Sequence, residues 1–166
     1  NRVNLRPYQK RRLRSIKKAT KSGYSLVFDD DMEMFWNDIL TPNLLLKHGV
    51  KPVHSIEEIS LLKKRFPDNI KQVNIYHNNQ LVAGTTLFLT EMVAHAQYIS
   101  GNDLGRNGGF LDLMFKELIE SDLLSQKYFD FGIANEQEGK ELNLGLTEWK
   151  ESFGATTSCH FFYDLT

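Results

Sequence analysis

Between Lys71 and Ser100 the chain carries three strand-like runs in quick succession, Lys71 to His77, Leu81 to Leu89 and Met92 to Ser100, rich in β-branched and aromatic residues. Asn78 and Asn79 separate the first two runs, and both tolerate positive φ, so a tight hairpin is predicted there. Strands joined by so few residues pair antiparallel, because a parallel pair needs a crossover of about a dozen residues or more. In the third run, alternation assigns Val93, His95, Gln97 and Ile99 to one face, and Ala94, Ala96, Tyr98 and Ser100 to the other. The glycine-rich turn Gly101 to Gly109 follows. It opens a helix with Phe110, Leu111, Met114, Phe115, Leu118 and Ile119 on one side. A turn of this kind aims backbone N–H groups and a helix N-terminus at whatever sits above it, an arrangement that binds phosphate or pyrophosphate.

A second strand, loop and helix unit runs from Lys127 to Gly154, KYFDFGIANEQEGKELNLGLTEWKESFG. Tyr128, Phe129, Phe131 and Ile133 read as one buried strand, and Asn135 to Gly139 as a polar loop. From Lys140, the residues Leu142, Leu146, Trp149 and Phe153 recur at helical spacing and predict an amphipathic helix that stops at Gly154. Asn143 and Lys150 lie seven apart on that helix, on nearly the same side, and could line one cleft. The plainer alternative makes Lys150 a base that complements the helix C-terminus. Thr156 to Asp164 alternates as a final strand.

The N-terminal part divides by charge. The first 21 residues hold nine of the 20 Lys and Arg and no acid, leaving 11 bases against 21 acids in the remainder. Within them Arg6 to Lys21 predicts a helix with a thin apolar edge of Leu13, Ile16 and Ala19, ended by Gly23. Such a basic arm either recognises an anion or keeps an interdomain helix solvated. Tyr24 to Phe28 reads as a short strand. The acids Asp29, Asp30 and Asp31 after it fit helix initiation better than a metal site. Met34, Phe35 and Leu40 mark a core edge, Thr41-Pro42 a fresh helix start, and Leu44, Leu45 and Leu46 its continuation. Ser55 and Glu58 form a capping box for a helix over about 56–65. His48 and His54 flank the connection without metal-ligand spacing.

At 166 residues with 41% hydrophobic content, one domain with one sizeable core is expected. No run approaches the length of a membrane span, so the chain reads as cytoplasmic. Its single cysteine, Cys159, allows no internal disulfide and reads as structural.

The series YFDFGIA, LNLGL and WKESFG, extended backward by HGVKPVHSIEEISLLKKRFP and QYIS, resembles FemAB-like proteins, whose domains have the GNAT N-acyltransferase fold. The resemblance covers the chain from about Arg11 onward. It implies an α/β (α+β) architecture with a central, mixed, mostly antiparallel sheet, helices on both faces and the order β-α-α-β-β-β-α-β-α-β. Residues 1–22 would be a basic lead-in helix or interdomain segment, and residues 23–166 the GNAT-like domain. FemAB-like proteins commonly carry two such domains, so a second GNAT-like domain in a longer protein is expected.

The resemblance also implies acyl transfer to an amine on a cell-wall or polysaccharide precursor, with acetyl-CoA or another acyl-CoA as donor and aminoacyl-tRNA as the alternative. No metal takes part. In GNAT enzymes the turn after the third strand holds the coenzyme A pyrophosphate through a motif that opens on Gln or Arg, has Gly three residues on and ends in Gly or Ala. Aligned on Gly108, this chain has Gly105 and Phe110 at the outer positions, a departure from that motif. The cofactor-binding expectation covers Ser100, Gly101, Gly105, Arg106, Asn107, Gly108 and Asn143. Trp149-Lys150 matches the aromatic-Lys pair by which Fem-type transferases are thought to steady the tetrahedral intermediate. Lys150, Tyr98 and His95 are the catalytic candidates, with His95 also readable as a packing residue. Arg11, Arg14, His54 and Trp149 are the substrate-binding candidates, for a small amine acceptor that is nucleotide-linked or lipid-linked. The competing class is a noncatalytic GNAT-like domain that binds a phosphorylated acceptor or packs against a catalytic neighbour.

Overall fold

A computed structural model describes residues 2, 5–29, 31–137, 139–159, 161 and 163. Five strands form the central sheet in sequence order: β1 (Ser25–Asp29), β2 (Ile70–His77), β3 (Gln80–Leu89), β4 (Val93–Gly101) and β5 (Tyr128–Asp130). The first three pairings are antiparallel, and only β4 with β5 is parallel. Asn78 and Asn79 have φ of 49° and 61°, so the β2–β3 turn has the doubly left-handed form that matches strand twist.

Helices cover both faces. On one side lie α1 (Lys10–Ser22), α6 (Phe110–Glu120) and α7 (Leu144–Glu151). Their buried residues Ile16, Ala19, Phe110, Leu113, Phe115 and Leu118 share a core with Val73, Ile75, Leu87, Ala94 and Ala96 of the sheet. Phe115 is the hub, with the rings of Phe129, Phe131, Trp149 and Phe153 centred 5.1 to 6.1 Å away. On the other side lie α2 (Glu33–Phe35), a π-helical segment (Trp36–Leu40), α3 (Thr41–His48) and α4 (Ile56–Arg65). There Met32, Phe35, Trp36, Ile39, Leu40 and Ile59 pack on Ile70 and Tyr98. The capping box closes as expected: the Glu58 amide donates to Ser55 Oγ, and the Ser55 amide to the Glu58 carboxylate.

Several elements differ from the sequence reading, each for a local reason. Helix α1 begins at Lys10, and its buried stripe is Arg12, Ile16 and Ala19, while Leu13 stays 49% exposed. Met34 is likewise exposed, as are Leu45 and Leu46. Thr41-Pro42 opens α3, as expected, but the helical path runs into it from the π segment without a break. Pro42 cannot donate an i→i−4 bond, and the helical path widens into the π segment just before it. The run from Tyr128 to Ile133 pairs only as far as Asp130, because Gly132 turns left-handed at φ 73° and leaves Ile133 78% exposed. Leu142 joins a small hairpin of β6 (Asn135–Glu136) and β7 (Glu141–Leu142) instead of the helix. Asn143 caps α7 by accepting from the Leu146 amide, so the helix starts at Leu144. Of the expected final strand, residues 156–159, 161 and 163 are not strand, and the others lie outside the described residues.

The register of β4 carries the largest correction. Thr86 pairs with Tyr98 and Leu87 with Ala96, so Gln97 is an extra residue, a β-bulge. One inserted residue exchanges the faces of everything beyond it. Ala94 and Ala96 face the α1–α6 side, whereas Tyr98 enters the α2–α4 core, opposite to the plain alternation. His95, alternating with Ala94 and Ala96, therefore shares a face with Tyr98.

Candidate active site

Strands β4 and β5 pair at Val93–Tyr128, Ala94–Phe129 and His95–Asp130 only. Beyond His95 they part, and the β4 edge from Ala96 to Gly101 has no β5 partner. The split is bordered by the Gly132 turn, by α5 (Asp103–Asn107) at the end of β4 and, on the α2–α4 side, by α3 and the 49–55 loop.

At the last paired position His95 Nδ1 lies 2.7 Å from an Asp130 carboxylate oxygen. Burial alone would raise the Asp130 carboxyl; hydrogen bonds from His95 and the Gly132 amide, with the charges of His95 and Lys150, outweigh it and hold it below the usual range. The carboxylate thus orients the imidazole, and among the described residues no hydrogen bond engages Nε2. A side chain at Gly132 would stand 3.3 Å from His95 Cε1, so glycine lets this turn approach the ring.

About three residues further along the same face, roughly 10 Å of strand, Tyr98 is buried and its hydroxyl lies 2.6 Å from His54 Nδ1. The His54 amide also donates to that hydroxyl, at 3.2 Å. Burial pushes the Tyr98 phenol up, against the pull of the His54 amide, so Tyr98 keeps its proton. Ser100 is tied to α3: Asn43 Nδ2 donates to Ser100 Oγ and to the Gly101 carbonyl, both at 2.9 Å. His95, Tyr98 and Ser100 therefore share one face of β4, with His54 on Tyr98, and His95 stands apart with Asp130.

Lys150 stands on the opposite border of the split. Its ammonium donates to the carbonyls of Gly132 at 3.0 Å and Ile133 at 2.5 Å, and the residue is only 8% exposed. Burial lowers it from 10.5 to about 8, opposed by Asp130. It is therefore not a solvated base at a helix end, and it does not share a cleft with Asn143. The Asn143 side chain caps α7 and donates to Glu136 instead. Trp149 is a core anchor, its indole N–H donating to buried Asp112, which also pairs with Arg12. Arg11 bridges to Glu148 of α7 at 3.4 Å, and Arg14 contacts the Lys10 carbonyl on the outer side of α1. Neither meets the cluster around Tyr98.

The glycine turn holds its own N–H groups. Gly105 donates to the Asn102 side chain, Arg106 to the Asn102 carbonyl, Gly108 to Leu104 and Gly109 to Arg106. A Cβ at Gly105 would lie 2.0 Å from the Val82 carbonyl, and one at Gly108 2.4 Å from the Leu104 carbonyl. Gly105 thus permits close packing of α5 on β3, and Gly108 a tight turn between α5 and Phe110. The Arg106 guanidinium engages the Gly101 carbonyl and Asp103, and the Asn107 carbonyl accepts from Lys18. As folded, the amides of Gly105, Gly108 and Gly109 are spent within the turn, whereas the β4 edge from Ala96 to Gly101 has no β5 partner.

Asp130, Gln97 and Asn43 were missed in the sequence reading. An acid inside the aromatic run Tyr128 to Phe131 was a usable signal for Asp130; nothing local marks the other two.

No protein-family model matches the chain, and no curated protein is significantly similar to it. Solved structures are similar to it in fold. A protein named as a possible acetyltransferase from Clostridium difficile 630 superposes with a TM-score of 0.59 at 11% identity, over 86% of this chain and 97% of its own. The C-terminal domain of a protein named as a lysylphosphatidylglycerol synthetase, from Agrobacterium fabrum, matches 89% of this chain with a TM-score of 0.56 at 13% identity. This chain spans about half of that one, 51%. The aminoglycoside acetyltransferase meta-AAC0020, from an uncultured soil metagenomic sample, gives 0.53 at 15% identity, over 87% of this chain and 96% of its own. Likeness at such identities establishes the fold, a GNAT fold with a mixed, mostly antiparallel sheet and helices on both faces. Among the described residues no helix is long and apolar enough to cross a membrane.

Proposed function

We propose that this protein is an N-acyltransferase of the FemAB-like kind, moving an acyl or aminoacyl group onto an amine of a cell-wall or polysaccharide precursor in the split between β4 and β5. The observation that carries the reading is the parting of the two strands at His95, directly before the bulge that brings His95 and Tyr98 to one face. Acyl transfer needs a base for the amine, a donor for the developing oxyanion and a proton for the leaving group. His95 Nε2, oriented by Asp130, is the base. Backbone amides of the unpaired β4 edge suit the oxyanion, and Lys150, with one ammonium hydrogen beyond its two carbonyl partners, adds charge. Tyr98, protonated and steadied by His54, is the proton donor. The arm of an acyl-CoA would lie along the open edge, and aminoacyl-tRNA is the alternative donor.

The second reading, a noncatalytic binding domain, is favoured by one observation: the glycine turn spends its amides internally. Calorimetric titration with acetyl-CoA, followed by thiol release with a panel of amino sugars and by transfer from aminoacyl-tRNA, separates the two. Transfer that falls about 100-fold or more in His95→Asn, with donor binding retained, supports the enzyme. Absence of both donor binding and transfer leaves the binding domain.

A further inference from the structure

The outward face of α1 is an acid-free cationic stripe. Lys10, Arg14, Lys17 and Lys21 follow at intervals of four, three and four, so they fall on one narrow arc of the helix. That arc is opposite the buried stripe of Arg12, Ile16 and Ala19. All four are exposed, and among the described residues none forms an ion pair. The two other exposed cations of the helix, Arg11 and Lys18, lie to one side and are engaged by Glu148 and the Asn107 carbonyl. Leu13, 49% exposed, flanks the stripe, and Leu5, 42% exposed, precedes it.

We propose that this face of α1 docks the protein on an anionic bilayer surface. Charge complementarity selects the partner class: the first 21 residues carry nine bases and no acid, and the remainder 11 bases against 21 acids. A plane of negative charge can be met by the helix alone while the acidic body points away. The stripe is straight, about 16 Å long, and three of its four members are Lys, point charges suited to a diffuse anionic plane. Paired recognition of individual nucleic-acid phosphates favours Arg forks and aromatic stacking, and the helix presents no aromatic residue. Ile16 and Ala19 are committed to the core and Leu13 is the one apolar side chain of the helix left at the surface, so the helix rests on headgroups and does not insert. The inference is independent of the acyl-transfer reading.

The test is cosedimentation of the 166-residue chain with vesicles of phosphatidylcholine alone and with about 30% phosphatidylglycerol or phosphatidylserine, beside a structured RNA as competitor class. Each cation near an anionic surface strengthens association about fivefold, so Lys10→Glu, Arg14→Glu, Lys17→Glu and Lys21→Glu together should weaken it on the order of 100-fold or more. Raising salt should weaken the unmodified protein likewise. Circular dichroism checks the fold, and the corresponding Gln variants give a gentler series should the charge reversals misfold. Stripe-dependent association with anionic vesicles supports the proposal. Association with RNA alone, with neither, or with vesicles regardless of the substitutions and of salt overturns it.

Discussion

Lys150→Met isolates the electrostatic cost of burying one ammonium at the border of the split. In the folded chain burial lowers Lys150 from 10.5 to about 8. The sign follows from proton counting. Between those two values the unfolded chain still binds a proton that the folded chain has released, so stability rises with pH there. Below about pH 8 both states hold the proton, and the full penalty is present. At about 1.4 kcal/mol per pKa unit the full penalty is on the order of 3 kcal/mol, of which about 2 kcal/mol is relieved between pH 7 and 9.5. Methionine keeps much of the stem and has no titrating group. Its own cost, two carbonyls left without a donor, is nearly constant with pH and is softened because Ile133 is exposed to water. Tyr24, Tyr76 and Tyr98, all pushed up, oppose the rise at higher pH in both proteins and cancel in the difference. Urea unfolding of both proteins at pH 7 and 9.5 should show the wild type gaining about 2 kcal/mol relative to the variant. Curves that stay parallel within about 0.5 kcal/mol would refute the reasoning, placing the ammonium in contact with water in spite of its geometry.

Arg12→Leu should destabilise by about 3–5 kcal/mol in chemical denaturation, because it strands buried Asp112 without its ion partner. Arg12→Leu with Asp112→Leu should recover most of that loss, and equal losses in single and double variants would count against it. Gly105→Ala should cost about 1–3 kcal/mol, since its Cβ meets the Val82 carbonyl backbone. Gly145→Ala, whose nearest neighbour is 3.6 Å away in α7, should instead gain roughly 0.5–1 kcal/mol. Equal thermal melts for the two alanine variants would show that the glycine turn is not packed as described.

What could be read from the sequence was what neighbours in sequence decide. The hairpin at Asn78-Asn79 and the Ser55–Glu58 box depend on residues one to three apart, and helix α6 on a repeating stripe. Where two local signals compete, periodicity misleads: Leu142 fits the α7 stripe, but Asn143 is the better N-cap, and the cap sets the boundary. The glycine turn misled for a related reason. A glycine says that something approaches closely, and only the fold reveals that the neighbours here are Val82 and Leu104 carbonyls rather than a ligand.

The candidate site was half legible because its residues are joined across the fold. His95 meets Asp130 from 35 positions away, and Tyr98 meets His54 from 44. Single residues of suitable chemistry could be named, but their partners could not. The bulge was invisible because Ala94 to Ser100 mixes polar and apolar residues at both parities, leaving period-two alternation no contrast from which to detect an added residue. Yet that added residue decides the chemistry. Without Gln97 as an extra position, Tyr98 would turn into the α1–α6 core, its hydroxyl would lose His54, and His95 would stand alone on its face at the point where the strands part.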